Sequence, residues 1–277
     1  MKILIDNGGQ TCNKFWGYLF PLTNAILYGK KYIVPIYDET IDYYPNLRSN
    51  SYFYYPFYSK IINRLFGIRE YISFLERILR LCRCDYDHLK KKWPHILLDS
   101  WSTRVYQLDK RAKDEIKRIF LPTKEIVNKT EELFSSHRHN HNLIIGVHIR
   151  RGDYKNWRNG TYYYSFEQYV SICKRLVDIY KDNKIIFFIS TNERIDHSSF
   201  SGIDYFVNPC NSAVADLYSL SLCDLIVGPP SSFSRFASYY GDVPISFILD
   251  IHNHLFNFRT IENYNTYCNG DKVEFDF

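Results

Sequence analysis

The second half of the chain alternates apolar strands with amphipathic helices, and this alternation limits its fold more than any other feature. The runs "LIIGVHI", "KIIFFIS", "DLIVG" and "VPISFIL" are rich in β-branched and apolar residues, as strands buried on both faces are. Helical segments such as "SFEQYVSICKRLVDIYKD" and "SSFSRFASYYG" stand between them. Strands that alternate with helices predict a parallel sheet covered by helices.

The first segment repeats this pattern on its own. "MKILID", the glycine loop "NGGQTCNK", and "FWGYLFPLTNAILYGKKYIVPIYD" read as strand, loop, helix and second strand, which is a βαβ unit. The polar stretch "SSHRHNHN" at 135–142 offers nothing apolar to bury, so we expect a linker there. We therefore predict an α/β fold of two Rossmann-like domains facing a cleft, with residues 1–140 in one and 141–277 in the other.

Composition excludes several classes of protein. No stretch of 18 or more apolar residues occurs, and the amino terminus enters a strand directly instead of building a signal peptide, so we expect a cytoplasmic location. The seven cysteines are odd in number and scattered, which favours reduced thiols over a disulfide framework and predicts no zinc site.

The net charge of +5 is concentrated in residues 60–93. Their apolar side chains recur at spacings of three and four, which predicts an amphipathic helix with a basic outer face. Such a helix either packs on a core with a solvated face or contacts a membrane surface, and both interpretations stay open. No nucleic-acid-binding module accompanies the charge, so we do not expect a nucleic-acid partner.

Two loops after predicted strands carry the residues best suited to chemistry. In "GVHIRRGDY", two arginines follow a predicted buried strand. Placing two positive charges there costs desolvation free energy unless an anion pairs with them. In "GPPSSFSRF", Gly228 and two prolines break the chain, and serines cap the next helix. A guanidinium matches a diphosphate, and the serine hydroxyls can donate to phosphate oxygens beside the free N–H groups of the helix terminus.

These segments resemble a known enzyme family. "GVHIRRGDY" resembles the His-x-Arg-Arg-Gly-Asp-Tyr motif of α-1,2-fucosyltransferases, and "DLYSLSLCDLIVGPPSSFSRFASYYG" is similar to their second motif. "GGQTCNKFWGYL" and "LDSWSTRVYQLDKRAKDEIKRIFLP" resemble two further family segments, in the same order. The family is related to core, nodulation-factor and protein O-fucosyltransferases. The resemblance implies a GT-B fold and GDP-fucose as the donor. It also implies inverting transfer of fucose to a glycan hydroxyl, with galactose O2 as the first candidate.

The chain departs from the family pattern at two places. The opening has Cys12-Asn13-Lys14 where the family has Gly-Asn-Gln, so only Asn13 carries over. The serine loop has Arg235 and Phe236 where the family has a pair of tryptophans.

By this resemblance, Arg150 holds the β-phosphate of the leaving GDP, so that no metal cofactor is required. A cation suits this place because transfer leaves a second negative charge on the diphosphate. "DYD" at Asp85–Asp87 is the one candidate metal motif, and its alternative is a solvated helix terminus. The resemblance implies the following donor-binding residues: Asn13, His148, Arg150, Arg151, Asp216, Ser231, Ser232, Phe233 and Ser234.

Three of these roles have structural alternatives. Asp216 would accept hydrogen bonds from guanine N1–H and the 2-amino group, or is an ordinary polar helix residue. His148 orients a phosphate or is a near-core histidine. Asp153 is the first candidate for the general base, and its alternative is to pair with Arg151 or cap the loop. Glu193 and Asp6 are further candidates for the base.

Two other patterns bear on the partners. The tripeptide "RGD" at 151–153 ends a predicted buried strand, so we do not read it as an adhesion motif. The aromatic run "YFYYPFY" at 52–58 would either stack acceptor sugars or pack under a loop.

Two other functions stay open beside the fucosyltransferase. One is a GT-B transferase that uses another sugar nucleotide. The other is a non-catalytic protein that binds a GDP-sugar or a glycan. If the protein assembles glycans at the inner face of a membrane, the basic residues 60–93 would contact the membrane surface.

Overall fold

The computed structural model describes residues 2–5, 11–34, 39–56, 97–99, 103 and 107–264. The chain divides into two compact units, Met1–Thr123 and Lys124–Phe277. Each unit is built around its own parallel β-sheet with helices between the strands, as the alternation in the sequence predicts.

The first unit contains a four-stranded sheet. Its strands are β1 Lys2–Ile5, β2 Tyr32–Ile33, β3 Phe53–Tyr54 and β4 Leu97–Asp99. Their order is β3-β2-β1-β4, and every pairing is parallel. The helices described in this unit are α1 Thr11–Tyr28, α2 Pro45–Arg48 and α3 Lys113–Ile119, with 3-10 helices at Glu39–Tyr43 and Lys110–Ala112.

An aromatic core holds the first unit together. The ring of Phe15 on α1 lies 5.0 Å from that of Tyr44 and 4.8 Å from that of Phe120. All three side chains are buried, so α1 is fixed against the segment around α2 and the end of α3. This packing explains why α1 persists with Pro21 inside it, since tertiary contacts outweigh a local helix-breaking residue.

The described part of the aromatic run, 52–56, forms β3 and its flanks. Phe53 is buried against Tyr18 and Tyr32, with ring centroids 5.5 and 6.1 Å apart. The side chain of Tyr54 points to the other face and is 58% exposed. Packing therefore accounts for Phe53, and only Tyr54 presents a largely free ring; residues 57 and 58 lie outside the described residues.

The second unit contains a five-stranded parallel sheet. Its strands are β5 Leu143–Ile149, β6 Ile185–Thr191, β7 Tyr205–Phe206, β8 Leu225–Gly228 and β9 Ile245–Phe247. Their order is β7-β6-β5-β8-β9. The helices are α4 Lys124–Arg138, α5 Phe166–Ile179, α6 Ala213–Ser221 and α7 Ser232–Gly241.

The central strand β5 is buried over six consecutive residues, Ile144 to Ile149, because helices cover both of its faces. On one face, α5 contributes an apolar stripe, and its start is fixed by a capping box between Ser165 and Gln168. On the other face, a Cβ at Gly146 would lie 2.7 Å from the Leu220 side chain, so α6 packs directly on the strand.

The boundary between the units differs from the one expected at residues 140 and 141. The helix α4 runs to Arg138 and belongs to the second unit, so that it includes residues 135–138 of the stretch 135–142 that the sequence indicated as linker. Two contacts explain this: the ring of His137 stacks on Phe206 at 4.0 Å, and Arg138 pairs with Asp224. This polar stretch does bury apolar surface, because the imidazole of His137 stacks on Phe206 as an aromatic ring does.

Several expectations fall on residues that the structure does not describe: the basic segment 60–93 with Asp85–Asp87, Asp6, and cysteines 82, 84 and 268. The described cysteines are all free thiols. Among the helices that are described, none is long and apolar enough to cross a membrane.

Candidate functional site

Two loops leave neighbouring strands of the second sheet at the point where the strand order reverses. From β5 the chain builds β6 and β7 on one side, and β8 and β9 then lie on the other side. Open α/β sheets bind ligands at such a switch point, beyond the carboxyl ends of the strands. Gly228 ends β8, and a Cβ there would lie 2.6 Å from the carbonyl oxygen of His148, so the two strand ends come too close for any side chain.

His148 lies at this switch point and is almost fully buried. Its ring stacks on that of Phe233, with centroids 5.2 Å apart, and its Nδ1 has no hydrogen-bond partner within the described part of the chain. Burial, assisted by the positive charge of Arg150, lowers the pKa of His148 to about 3. The imidazole is therefore neutral at physiological pH, with one ring nitrogen left for a ligand.

The loop after β8 brings serines to the same place. Ser231 is the N-cap of α7, and its hydroxyl accepts a hydrogen bond from the Phe233 N–H at 3.2 Å. Ser232 is the first residue of α7, and the Oγ of Ser234 is fully buried without a hydrogen bond inside the described ranges. The start of α7 thus combines the amino terminus of a helix with a buried Ser234 hydroxyl that has no described partner, an arrangement suited to an anion.

Tyr154 ties the two loops together. Its hydroxyl donates a hydrogen bond of 2.6 Å to the carbonyl of Pro230, immediately before the serines. Burial raises the pKa of Tyr154 to about 12, so the phenol keeps its proton and this bond at all ordinary pH values. The loop that carries the arginines is therefore held beside the amino terminus of α7.

Arg150 and Asp153 form an ion pair inside the first loop. The Nη2 of Arg150 donates to Oδ2 of Asp153 at 2.9 Å, and the guanidinium also lies 5.7 Å from the centre of the Tyr154 ring. The Arg150 side chain is only 15% exposed, whereas that of Asp153 is 51% exposed. A half-exposed carboxylate is open to substrate, and the cation beside it faces the same loop.

Arg151 has different partners. It donates from Nε to Glu193 at 2.8 Å, from Nη1 to the Tyr164 carbonyl and from Nη2 to the Tyr163 hydroxyl. Glu193 also accepts from the backbone N–H of Gly152 at 2.9 Å. The guanidinium of Arg151 and the carboxylate of Glu193 therefore hold the loop in shape, a role that the sequence did not assign to either residue.

Asp216 lies in the first turn of α6, against the end of β6. Its carboxylate is hydrogen-bonded to Ser190, the residue of β6 that pairs in register with His148. Burial raises the pKa of Asp216 to about 7, and the Ser190 hydrogen bond opposes this rise. Asp216 is therefore poised between its neutral and charged forms near neutral pH.

The structure brings most of the predicted residues together on one edge of the second sheet: His148, Arg150, Asp153, Ser231, Ser232, Phe233 and Ser234, with Asp216 one strand further along. Asn13 lies in the first unit, near the start of α1, and its Oδ1 is buried without a described partner. Sequence reasoning missed Ser190 and Tyr154. The continuous apolar run of β6 contains no signal for Ser190, but the tyrosine of "RRGDY" does stand beside the arginines.

Arg235 lies inside the core of the second unit. It is 1% exposed, donates to the carbonyl of Tyr264, and its guanidinium lies 5.1 and 5.2 Å from the ring centres of Phe247 and Tyr264. The flat guanidinium therefore packs between two aromatic rings. No group of three or more His, Cys, Asp or Glu side chains is placed to hold a metal ion among the residues described.

Comparison with known proteins gives similarity in structure only. No protein-family model and no curated protein sequence matches the chain significantly. Similar solved structures include the fucosyltransferase NodZ from Bradyrhizobium, with 16% identity, a TM-score of 0.59, and coverage of 94% of this chain and 98% of that one. POFUT1 in complex with GDP-fucose has 12% identity and a TM-score of 0.55, over 87% of this chain and 94% of that one.

Arabidopsis thaliana FUT1 in complex with GDP is also similar, with 12% identity and a TM-score of 0.56, over 89% of this chain and 70% of that one. At such identities the similarity establishes the fold. The chain has the α/β GT-B fold of these fucosyltransferases, with two Rossmann-like domains.

Proposed function

We propose that the protein is an inverting fucosyltransferase that moves L-fucose from GDP-fucose to a glycan hydroxyl without a metal ion, with galactose O2 as the first candidate acceptor. One observation carries this proposal: Arg150, His148 and the serine-rich start of α7 lie together at the sheet's switch point, an arrangement that suits an anion. Similar solved structures that contain GDP-fucose, namely POFUT1 and NodZ, support the choice of donor.

A diphosphate supplies the partners that the buried polar atoms lack. The Nδ1 of His148 and the Oγ of Ser234 have no described hydrogen-bond partner, and leaving a buried polar group unpaired costs about 1–3 kcal/mol. Phosphate oxygens accept from the hydroxyl, from the imidazole N–H and from the N–H groups at the start of α7. Binding the donor therefore relieves a cost that is built into the free protein.

The leaving group determines the role of Arg150. Transfer breaks the bond between fucose C1 and the β-phosphate oxygen, and GDP departs with the electron pair. A fixed guanidinium stabilises the charge that develops there, and the buried position of Arg150 strengthens this effect. The diphosphate also competes with Asp153 for Arg150, which frees the carboxylate as the donor binds.

Asp153 is then placed to act as the general base. The acceptor oxygen forms its bond to C1 on the face opposite GDP, which converts a β-linked donor into an α-linked product, and its proton passes to the carboxylate. The 51% exposure of Asp153 lets an acceptor approach it. Glu193 is a weaker candidate because Arg151 and the Gly152 N–H already occupy its two oxygens.

Asp216 is proposed to select guanine. A carboxylate accepts from guanine N1–H and the 2-amino group together, whereas adenine offers no such pair of donors. Its raised pKa reflects burial without a cationic partner among the causes of the shift. A base with two donors compensates for that burial, and Asn13 of the first unit is proposed as a further donor contact.

The experiment measures GDP release from GDP-fucose, with and without lactose and in the presence of EDTA. We expect acceptor-dependent release that survives EDTA and falls by about 10²–10³-fold in Arg150→Ala. Arg138→Ala is the matched control, because this arginine pairs with Asp224 at the opposite end of the strands. Loss of activity in EDTA would contradict the metal-free mechanism.

The remaining outcomes separate the alternatives. Protection of the fold by GDP without release from GDP-fucose would favour a non-catalytic GDP-sugar-binding protein. Protection by another nucleoside diphosphate in preference to GDP would favour a transferase with a different donor. Peripheral membrane contact through residues 60–93 remains a separate proposal, and sedimentation with anionic vesicles tests it.

A further inference from the structure

Tyr154 connects the two parts of the proposed phosphate site. The guanidinium of Arg150 lies 5.7 Å from the centre of its ring. Its hydroxyl donates a hydrogen bond of 2.6 Å to the carbonyl of Pro230, the residue that precedes the N-cap Ser231 of α7. One buried side chain therefore spans the distance between Arg150 and the start of α7.

Further contacts fix Tyr154 in this position. Its backbone N–H donates to the carbonyl of Arg151, and the ring of Trp157 lies 4.6 Å from its own ring. Burial raises the pKa of Tyr154 to about 12, and a hydrogen bond with Ser231 opposes this rise. The phenol therefore stays protonated near neutral pH and keeps its hydrogen bond to the Pro230 carbonyl.

The two groups that Tyr154 connects suit two different phosphates. The helix terminus and the serine hydroxyls at the start of α7 suit one phosphate group, and the guanidinium of Arg150 suits a second. A diphosphate contacts both groups at once only if their separation matches the length of its bridge. Fixing that separation in advance saves the entropy that ordering a mobile loop would cost during binding.

We propose that Tyr154 is a positioning residue that makes the site select a nucleoside diphosphate over a nucleoside monophosphate, because it holds Arg150 at a fixed distance from the start of α7. This inference rests on the proposed function and adds a determinant of donor specificity to it. Tyr154 acts through its neighbours, since its hydroxyl is already bonded to the carbonyl of Pro230.

Calorimetric titration of the native protein and of Tyr154→Phe, with GDP and with GMP at one pH, tests this role. The variant keeps the ring beside Arg150 and removes the hydrogen bond to Pro230. The start of α7 keeps its own cap, in which the Phe233 N–H donates to Ser231. GMP affinity should therefore stay unchanged.

GDP affinity should respond differently from GMP affinity. We expect the native protein to bind GDP roughly tenfold or more tightly than GMP, as one charge-assisted contact to the second phosphate implies. In Tyr154→Phe, GDP affinity should fall about tenfold, which corresponds to about 1.4 kcal/mol. KM for GDP-fucose should rise by a similar factor, and KM for lactose should not change.

Ser238→Ala is the matched control. It removes another buried hydrogen bond from a hydroxyl to a carbonyl, that of Ser238 with Val243, near the opposite end of α7. We expect this variant to unfold at a lower urea concentration while it binds both nucleotides as the native protein does. A fall in GDP affinity as large as that in Tyr154→Phe would mean that any loss of stability weakens binding, and would overturn the role of Tyr154.

The ratio of the two affinities distinguishes the remaining outcomes. Equal affinities of the native protein for GDP and GMP would overturn the inference, even if Tyr154→Phe failed to fold. An equal loss of both affinities in Tyr154→Phe, or no loss of either, would overturn it as well. Selection of GDP that depends on Tyr154, without transfer of fucose, would support the inference and refute the transferase. Transfer of fucose by a Tyr154→Phe variant with native GDP affinity would refute the inference alone, and the absence of GDP binding would refute both.

Discussion

Asp216 makes the stability of the protein depend on pH in a direction opposite to that of most carboxylates. Burial raises its pKa from an ordinary value of 3.8 to about 7. Between these two values the folded protein holds a proton that the unfolded chain has released. The free energy of unfolding therefore falls as pH rises from about 4 to 7, and stays low above that.

The size of the effect follows from the same two values. They differ by about three pH units, and each unit corresponds to about 1.4 kcal/mol, so ionised Asp216 destabilises the folded state by at most about 4 kcal/mol. Asp216→Asn keeps the shape and removes the charge. We expect this variant to match the native protein near pH 3, to exceed it by about 1.7 kcal/mol at pH 5, and to exceed it by up to about 4 kcal/mol at pH 8.

Urea unfolding of both proteins from pH 5 to pH 9 measures this difference directly. Other titrating groups are common to the two proteins, so the difference between the curves reports Asp216 alone. Parallel curves over the whole range would refute the reasoning, because they would mean that the carboxylate titrates alike in the folded and unfolded states. A variant that is less stable at pH 8 would refute it as well.

The same titration governs the proposed recognition of guanine. Only the charged carboxylate accepts both donors, so GDP affinity should rise roughly tenfold from pH 6 to pH 8, as the ionised fraction rises around a pKa near 7. In Asp216→Asn this slope should vanish, apart from the titration of the phosphate itself. Calorimetric titration with GDP at the two pH values provides the comparison, and an unchanged slope in the variant would exclude Asp216 from guanine recognition.

Two further predictions concern the loops around the switch point. Gly228→Ala should lower the free energy of unfolding by about 1–3 kcal/mol or more, because the new Cβ would lie 2.6 Å from the His148 carbonyl oxygen; an unfolding midpoint equal to the native one would contradict this. Glu193→Gln should weaken the hydrogen bonds to Arg151 and to the Gly152 N–H, and so lower the free energy of unfolding by about 1–2 kcal/mol. It should also lower kcat more than it lowers GDP affinity. Unchanged kcat with lost GDP affinity would instead indicate that Glu193 contacts the donor.

Local patterns were enough to predict the fold and the centre of the site. Buried parallel strands appear in a sequence as continuous apolar runs, and charges at the end of such a run have to face a ligand or each other. His148 and Arg150 were recognisable for this reason, and so was the serine cap of α7. The end of α4 was not recognisable, because stacking of His137 on Phe206 depends on a contact with a residue far along the chain.

Features that depend on strand register or on loop shape could not be predicted from the sequence either. Ser190 is brought beside His148 only by the pairing of β6 with β5, and nothing in "FFIST" distinguishes it from a strand-end serine elsewhere. Trp157 belongs to a loop whose left-handed backbone cannot be inferred from "WRNG" alone. Sequence reasoning therefore indicated the residues at the ends of β5 and β8, but not the shape of the loop that follows β5.

Arg150 and Arg151 are adjacent in the sequence but have different partners in the structure. Sequence reasoning offered Asp153 as a partner for Arg151, but the structure pairs Asp153 with Arg150 and Arg151 with Glu193. Glu193 follows β6, the neighbour of β5 on one side, whereas the serines follow β8 on the other. Arg151 is thus neutralised within the protein, and its contacts fix the loop in place. Arg150 is paired with the half-exposed carboxylate of Asp153, with which an incoming diphosphate would compete. Of the pair, Arg150 is the one that we propose to stabilise the leaving group. On that proposal, Arg150→Lys should lower kcat through loss of the guanidinium fork even though the charge remains, and an unchanged kcat in the GDP-release assay would contradict the role.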